Sequence, residues 1–420
     1  MNVLVLNSGS STLKCALFRL PDGSLRSKAE TPLWRARVAF DELPGTARAE
    51  VEREDQEAIE LSFPLRDPGE ILEAILPHLW SGQAKALPGP GSIDSVGHRI
   101  VHGGDRLSES TKITPEVRRT LEELGELAPL HNAVEVSGID AVSRLLGPRV
   151  PQVAVFDTAF HRTLPPPAFA YPLPHDWLTR GLRRFGFHGI SHQYLSRRAA
   201  FLLGRSGDSL RLVTCHLGSG CSLAAVAGGR SVDTTMGFTP MEGLMMATRS
   251  GSVDPGLLLH VLRRGEVSLA ELDLVLNRRS GLLGLSGLSG DMREVLWAIE
   301  RGDERARLAF EVYVHRIRGG IGALMASLGG LDALVFSGGV GENAPKVREA
   351  VCAPLACFGL ILDGKKNGSP REDEDVATAT SGARILVVRT EEEWEIASEC
   401  HRLLSGEDGA GKDRPKARSR

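Results

Sequence analysis

The apolar residues of the first segment come in two short runs broken by small polar ones. Val3-Leu4-Val5-Leu6 is continuous, and residues 12–20 are again mostly apolar. Ser8-Gly9-Ser10-Ser11 between them reads as a turn. Both runs are nearly free of charge, which predicts a strand, a turn and a strand inside a sheet. Residues 212–227 repeat the arrangement around Gly218-Ser219-Gly220. Two such units so far apart predict two related half-domains. A helical period replaces this pattern at Val117, Leu121 and Leu124. It predicts a helix over 115–127, capped by Thr114, with Pro115 at its first position and Pro129 beyond its end. Residues 152–156 form a short apolar strand that ends in Asp157. The stretch 291–328 reads as helical, with Gly302 dividing a short helix from a longer one. Residues 331–336 predict a buried strand; Gly338-Gly339-Val340-Gly341 then forms a turn, and a helix starts near Asn343 and Pro345. The Gly-rich, basic tail at 405–420 has the composition of a disordered segment.

A chain of 420 residues exceeds the usual size of a single core, so two domains are expected. The net charge of -3 supplies no field that would draw the protein to nucleic acid or an anionic membrane. The first residues show no basic leader and the chain no bilayer-length apolar run, so a cytoplasmic location is expected. Six cysteines without a CxxC pair read as small core residues in a reducing compartment.

Three glycine-rich turns follow apolar strands, at 8–11, 218–220 and 338–341. Glycine lets backbone N–H groups approach an anion, and three such turns point to a nucleotide; ordinary tight turns are the competing reading. No Walker loop or protein-kinase motif occurs. Lys14, two residues into an internal strand, needs either a phosphate partner or a path to the surface. Arg99, between a strand and Gly103-Gly104, is either a fork for a carboxylate or phosphoryl oxygen or half of a structural ion pair. His188 lies in Phe185-Gly186-Phe187-His188-Gly189, and either points into a shaped site or is a satisfied core histidine. Zinc is a poor reading there, because HExxH is absent and Gly189 disfavours a helix. Arg249 precedes a small-residue loop suited to clamping an anion, and the methionines at 241–246 read as core filler. Together Arg99, His188 and Arg249 offer the donors that phosphoryl transfer requires. Asp157 and Glu392 are among the carboxylates able to take magnesium.

At this point the chain resembles the acetate kinase family, within the superfamily of acetate and sugar kinases, heat-shock chaperones and actin. The resemblance covers about residues 2–400. It rests on ordered blocks that include Asn7-Ser8-Gly9-Ser10-Ser11-Thr12-Leu13-Lys14, Phe156-Asp157-Thr158-Ala159-Phe160-His161, His216-Leu217-Gly218-Ser219-Gly220 and Gly339-Val340-Gly341-Glu342-Asn343. It implies an α/β fold of duplicated ribonuclease H-like (actin-like ATPase) domains, each with a βββαβαβα core, around a central cleft. The first would span 1–155, completed by a C-terminal helix at 383–404. The second would span 156–382 and carry most of the nucleotide site. The implied reaction is reversible transfer between ATP and acetate, giving ADP and acetyl phosphate, with magnesium or manganese, in a cytoplasmic homodimer. Propionate or butyrate kinase is the alternative within the family; a nucleotide-binding or chaperone-like module is the alternative outside it.

By the same resemblance, Asn7 and Glu392 hold the metal, Lys14 contacts ATP and Arg99 binds substrate. Asp157 matches the acid/base position, His188 and Arg249 stabilise the moving phosphoryl, and His131 is a further active-site histidine. Val101, Leu130, Phe187 and Pro240 form the wall around the acetate methyl. His216, Leu217, Gly218, Ser219 and Gly220 make the first ATP segment; Asp291, Met292 and Arg293 the second; Gly339, Val340, Gly341, Glu342 and Asn343 the third. Three positions depart from the family pattern: Ser219 replaces a common Asn, Ser252 a common Asp, and Glu391 an Asn or Asp.

Overall fold

The computed structural model describes residues 1–9, 12–21, 23, 28–40, 46–54, 56–64, 68–126 and 132–406. The chain divides into two compact units, one holding 1–159 and the segment from 391 onward, the other 160–390.

The first unit is built on an eight-stranded sheet. Its strands are β1 (Asn2–Ser8), β2 (Thr12–Arg19), β3 (Trp34–Phe40), β4 (Thr46–Arg53), β5 (Ile59–Pro64), β6 (Ser95–Ile100), β7 (Thr111–Lys112) and β8 (Gln152–Phe156). Their order is β5-β4-β3-β2-β1-β6-β8-β7. β1 to β5 form an antiparallel meander, whereas β6 runs parallel to β1 and β8 parallel to β6. The unbroken apolar run of β1 follows from burial on both faces. Leu4 and Leu6 enter a core with Ile71, Leu72, Ala141 and Val142, from the helices Pro68–Ile75 and Asn132–Leu146. On the other side Phe18 meets Trp394 edge-on, ring centroids 5.6 Å apart. Trp394 belongs to the final helix, Glu392–Leu404. A β-carbon at Gly97 on β6 would lie 2.6 Å from Cys400 Sγ and 2.7 Å from Ile396 Cγ2, so only glycine admits this helix so closely.

The second unit has a six-stranded sheet of β9 (Arg211–Leu217), β10 (Cys221–Ala227), β11 (Arg230–Thr234), β12 (Ala333–Ser337), β13 (Glu374–Asp375) and β14 (Arg384–Val387). The order is β11-β10-β9-β12-β14-β13. Again three strands form an antiparallel meander and two more continue in parallel, with a short antiparallel strand at the edge. The helices Gly189–Leu202 and Glu304–Leu328 pack against this sheet. The duplicated α/β core is therefore present in both units.

Several boundaries move. The expected helix over 115–127 is an α-helix at Pro115–Glu123 followed by a 3-10 turn at Leu124–Glu126, with Thr114 Oγ1 accepting from Val117 N as its cap. Residues 384–387, expected within the last helix, are strand β14 of the second unit, and the helix begins at Glu392. Gly338–Asn343 is one short helix rather than a turn. Gly189 opens a helix instead of preventing one: it is the first helical residue, outside the helix interior where glycine is costly. Cys357 is exposed, while the other five cysteines are buried. Among the described residues no helix is long and apolar enough to cross a membrane. Residues 127–131 and 407–420 lie outside the described residues, and with them Leu130, His131 and most of the tail.

Candidate active site

In the first unit, the ends of β1, β6 and β8 bring the sequence-predicted residues together. Arg99 grips Asp157 through two bonds, Nε to Oδ1 at 3.1 Å and Nη2 to Oδ2 at 2.6 Å. Its Nη1 donates to the Ser8 carbonyl at 3.0 Å. Asp157 is only 1% exposed. Burial works against the charge of Arg99, but the paired carboxylate outweighs it and holds the guanidinium more firmly protonated than usual. Asn7 Nδ2 donates to Glu392 Oε2 at 3.0 Å and to Glu393 Oε1 at 2.8 Å. Lys14 Nζ lies 3.5 Å from the same Glu393 oxygen, and that carboxylate raises the Lys14 pKa. Of the two readings of Arg99, the ion pair is present, and Nη1 is shared between the Ser8 carbonyl and Asn7 Oδ1, the latter at 3.5 Å. Lys14 has neither simply snorkelled nor waited for phosphate: its side chain is 43% exposed and paired.

The donor set suits magnesium. The two carboxylates are hard ligands, and this ion takes one or two carboxylates together with phosphate and water oxygens; Asn7 turns its amide Nδ2 to them, while its Oδ1 lies 3.5 Å from Arg99 Nη1. Glu393 is absent from the residues picked out in the sequence. The available signal is the acidic run at 391–393 at a helix start, where one carboxylate cannot be told from its neighbours.

Val101, expected in the methyl wall, is buried, and its N–H donates to Glu135 Oε1 at 3.1 Å.

In the second unit, His188 caps the helix Gly189–Leu202 in a left-handed conformation, φ 56° and ψ 24°. Such backbone costs a non-glycine residue about 1–3 kcal/mol and is retained where the surroundings enforce it. Here they do. His188 Nδ1 bonds Ser222 Oγ at 2.9 Å, and its ring packs against His216 with centroids 4.4 Å apart. The same Ser222 hydroxyl meets His192 Nε2 at 2.8 Å, and His192 Nδ1 meets Thr214 Oγ1 at 2.7 Å. Burial pushes the His192 pKa well down, so the network runs through a neutral ring. With Nδ1 committed, the Nε2 of His188 is turned toward Gly220. A β-carbon at Gly220 would lie 3.1 Å from His188 Nε2 and 3.8 Å from Arg249 Nη2. The bare glycine thus leaves a cradle onto which an imidazole and a guanidinium converge. Arg249 Nη1 is steadied by the Pro240 carbonyl at 2.7 Å.

Of the expected nucleotide segments, the third adjoins the first. Gly218 N donates to Gly220 O at 2.9 Å, closing the turn, and Ala247 N donates to Ser219 O at 3.0 Å. β12 pairs with β9 so that Ser337 stands opposite His216, which sets the helix Gly338–Asn343 beside the turn. Glu342 Oε1 accepts from Gly338 N at 2.8 Å and Thr390 N at 3.0 Å, so it braces that helix from within. Asn343 bonds back to the Gly339 carbonyl at 2.9 Å. Asp291 caps the helix Met292–Glu300 through Arg293 N at 2.8 Å, and Arg293 holds its carboxyl below the usual range. Leu217 and Met292 are buried, so what they can offer a ligand is backbone. Phe187 is also buried, its carbonyl accepting from His161 Nε2 at 3.1 Å. Ser252, in place of Asp, closes its loop by accepting from Gly243 N at 3.0 Å. Glu391 flanks the last helix, its carbonyl accepting from Glu395 N at 3.0 Å.

A duplicated α/β core that carries clustered anion-holding side chains and glycine turns defines a phosphotransferase of the acetate and sugar kinase type. The model of the Acetokinase family matches residues 2–398, and the chain belongs to that family. It is 50% identical to an acetate kinase of Gloeobacter violaceus over 96% of this chain and 100% of the relative. Its fold matches the crystal structure of Porphyromonas gingivalis acetate kinase with a TM-score of 0.87 at 41% identity, covering 96% of this chain and 99% of that one. A propionate kinase from Francisella tularensis gives 0.85 at 35% identity, covering 95% and 98%.

Proposed function

We propose that this protein is an ATP-dependent acetate kinase that converts ATP and acetate to ADP and acetyl phosphate, and the reverse. The observation that carries the reading is the convergence of His188 Nε2 and Arg249 on the bare Gly220 turn. Acetate is ionised at neutral pH, like a side-chain carboxylate with a pKa of about 4, and needs no base. One acetate oxygen attacks the γ-phosphorus in line; the bond to the β–γ bridging oxygen breaks, and its electron pair leaves with ADP. Arg99 orients the acetate carboxylate. Arg249 and His188 meet the equatorial phosphoryl oxygens as charge develops on them. Asp157 spends both oxygens on Arg99, so it positions the guanidinium and takes no proton. Lys14 and the three nucleotide segments hold ATP, and His131 stays with the proposal as a further active-site histidine. Asn7 and Glu392, with Glu393 beside them, would hold magnesium, or manganese in its place, and the ion supplies charge neutralisation on the phosphates.

Val101, Leu130, Phe187 and Pro240 form the methyl wall in this reading. One added methylene is worth about 1–3 kcal/mol in such a pocket, so propionate is a poorer substrate and not an excluded one. The proposed assembly is a homodimer. It is supported by the helix Pro255–Arg263, which buries none of its residues in the single chain and leaves Leu257 and Leu259 exposed. A cytoplasmic location agrees with the free thiols. The test is ADP formation with acetate, propionate and butyrate, with and without magnesium. Strict dependence on acetate and metal is expected; butyrate turnover equal to or above that with acetate would refute the assignment.

A further inference from the structure

Glu135 has no part in the mechanism above, yet its placement calls for one. It sits in the first turn of the helix Asn132–Leu146 and is only 4% exposed. Oε1 accepts the Val101 N–H, while the equally buried Oε2 meets no hydrogen-bonding group among the described residues. The charged groups that act on it are Arg99 on β6 and Asp157 just beyond β8. His131, four residues earlier in the chain, lies outside the described residues. The next helix positions, Val136 and Ile139, enter an apolar cluster with Ile100 and Phe156.

A buried group that only had to accept one N–H would not need a second polar oxygen, since an unmatched buried oxygen is unfavourable. We propose that Glu135 is a positioning residue of the carboxylate-binding site and that it works as an uncharged carboxylic acid. This rests on the acetate reading. In its neutral form it anchors the backbone of Val101 and adds no charge beside Arg99, whose charge Asp157 already balances. Once ionised, it adds a further negative charge beside Arg99, which Asp157 and Glu392 already face, and repels the incoming acetate anion. Burial is the dominant influence and pushes the Glu135 pKa up to about 8; Arg99 and the Val101 N–H pull it down, and Asp157 raises it. The proton is therefore held at neutrality and released just above it.

The experiment compares the full-length enzyme with Glu135→Gln from pH 6 to 9.5. The amide keeps an acceptor for Val101 and cannot ionise. Wild-type acetate KM is expected to rise about tenfold between pH 7 and 9, following the ionised fraction. In Glu135→Gln that rise disappears, while the pH dependence of ATP KM is the same in both enzymes. A second readout needs no turnover. The folded state retains a proton that the unfolded state has released, so this group loses stability as pH rises from the unfolded value near 4.5 to about 8. The Tm advantage of Glu135→Gln therefore grows over that window and levels above it. If the variant does not fold, the infrared carbonyl band of a protonated carboxyl in wild type must vanish between pH 7 and 9. Acetate turnover with coinciding KM curves, a Tm difference independent of pH, or the absence of that band overturns this role alone. Absence of acetate turnover overturns the proposed function and this role with it.

Discussion

The two units share a strand order and a glycine turn after the first strand, but they hold their functional side chains by opposite means. In the first unit the locks are ionic: Arg99 on Asp157, and Lys14 on Glu393. Around His188 in the second they are neutral, with Ser222 between two imidazoles, Thr214 behind them and a carbonyl on Arg249, and an ion pair recurs further along, between Arg293 and Asp291. The Pro240 carbonyl steadies Arg249 without itself adding a countercharge, which suits a group that must answer charge developing in a transition state. An ionic lock fixes direction at the expense of field strength, which suits the orientation of a substrate already charged in its ground state.

The largest effects should separate these roles. Arg249→Ala and His188→Ala are expected to lower kcat about 100- to 1,000-fold with smaller changes in acetate KM, whereas Arg99→Ala acts strongly on acetate KM. Steady-state kinetics with varied acetate decide this, and equal partition between kcat and KM in all three would erase the contrast. Next, Asp157→Asn strands a buried guanidinium. Loss of one partner of a buried pair costs about 3–5 kcal/mol, and both Tm and kcat/KM should fall; Glu at that position should recover less than the native residue. Acid should weaken the second unit more. His161 is held neutral by burial with a pKa of about 4, and burial pushes His192 well below the usual imidazole value too, while the first unit has His98 at about 4. Folded values below the unfolded one mean stability that is complete above pH 6.5 and lost as pH falls toward 4. Calorimetry across that window, with His161→Gln and His98→Gln as controls, should show the acid limb flattened by each substitution, and two parallel limbs would contradict it. The smallest effect belongs to Lys14 and Glu393. With Lys14 43% exposed, a double-mutant cycle on stability should give a coupling of at most about 1 kcal/mol, falling with added salt.

The sequence displayed both hairpins plainly, because strands buried on two faces leave no place for charge. Strand 152–156 and the divided helices around Gly302 were visible for the same local reason. The contacts that make the sites were not. Asn7 and Glu392 stand 385 positions apart, and no periodicity links them; only the family blocks paired them. The left-handed cap at His188 was hidden because Gly189 suggested a break, whereas the ring's bond to Ser222 and its packing on His216 fix the strained backbone. Glu135 and Glu393 were two acidic residues among 53, distinguished only once burial and partners were known.

The last helix, Glu392–Leu404, closes the first sheet although the whole second unit intervenes in the chain. On the ribosome, the strand carrying Gly97 therefore emerges long before the surface that covers it. At synthesis rates of about 5–20 residues per second, the wait for residues 160–390 is on the order of 10–50 s. During that interval the N-terminal half-domain is an unfinished client with one bare sheet face, while the second unit can complete itself as it leaves the tunnel. Glu392 and Glu393 arrive with the same closing segment, so a prematurely terminated chain lacks both the lid over its core and the carboxylates proposed to hold the metal. Translation arrest anywhere before that helix would leave an inactive product open to proteolysis.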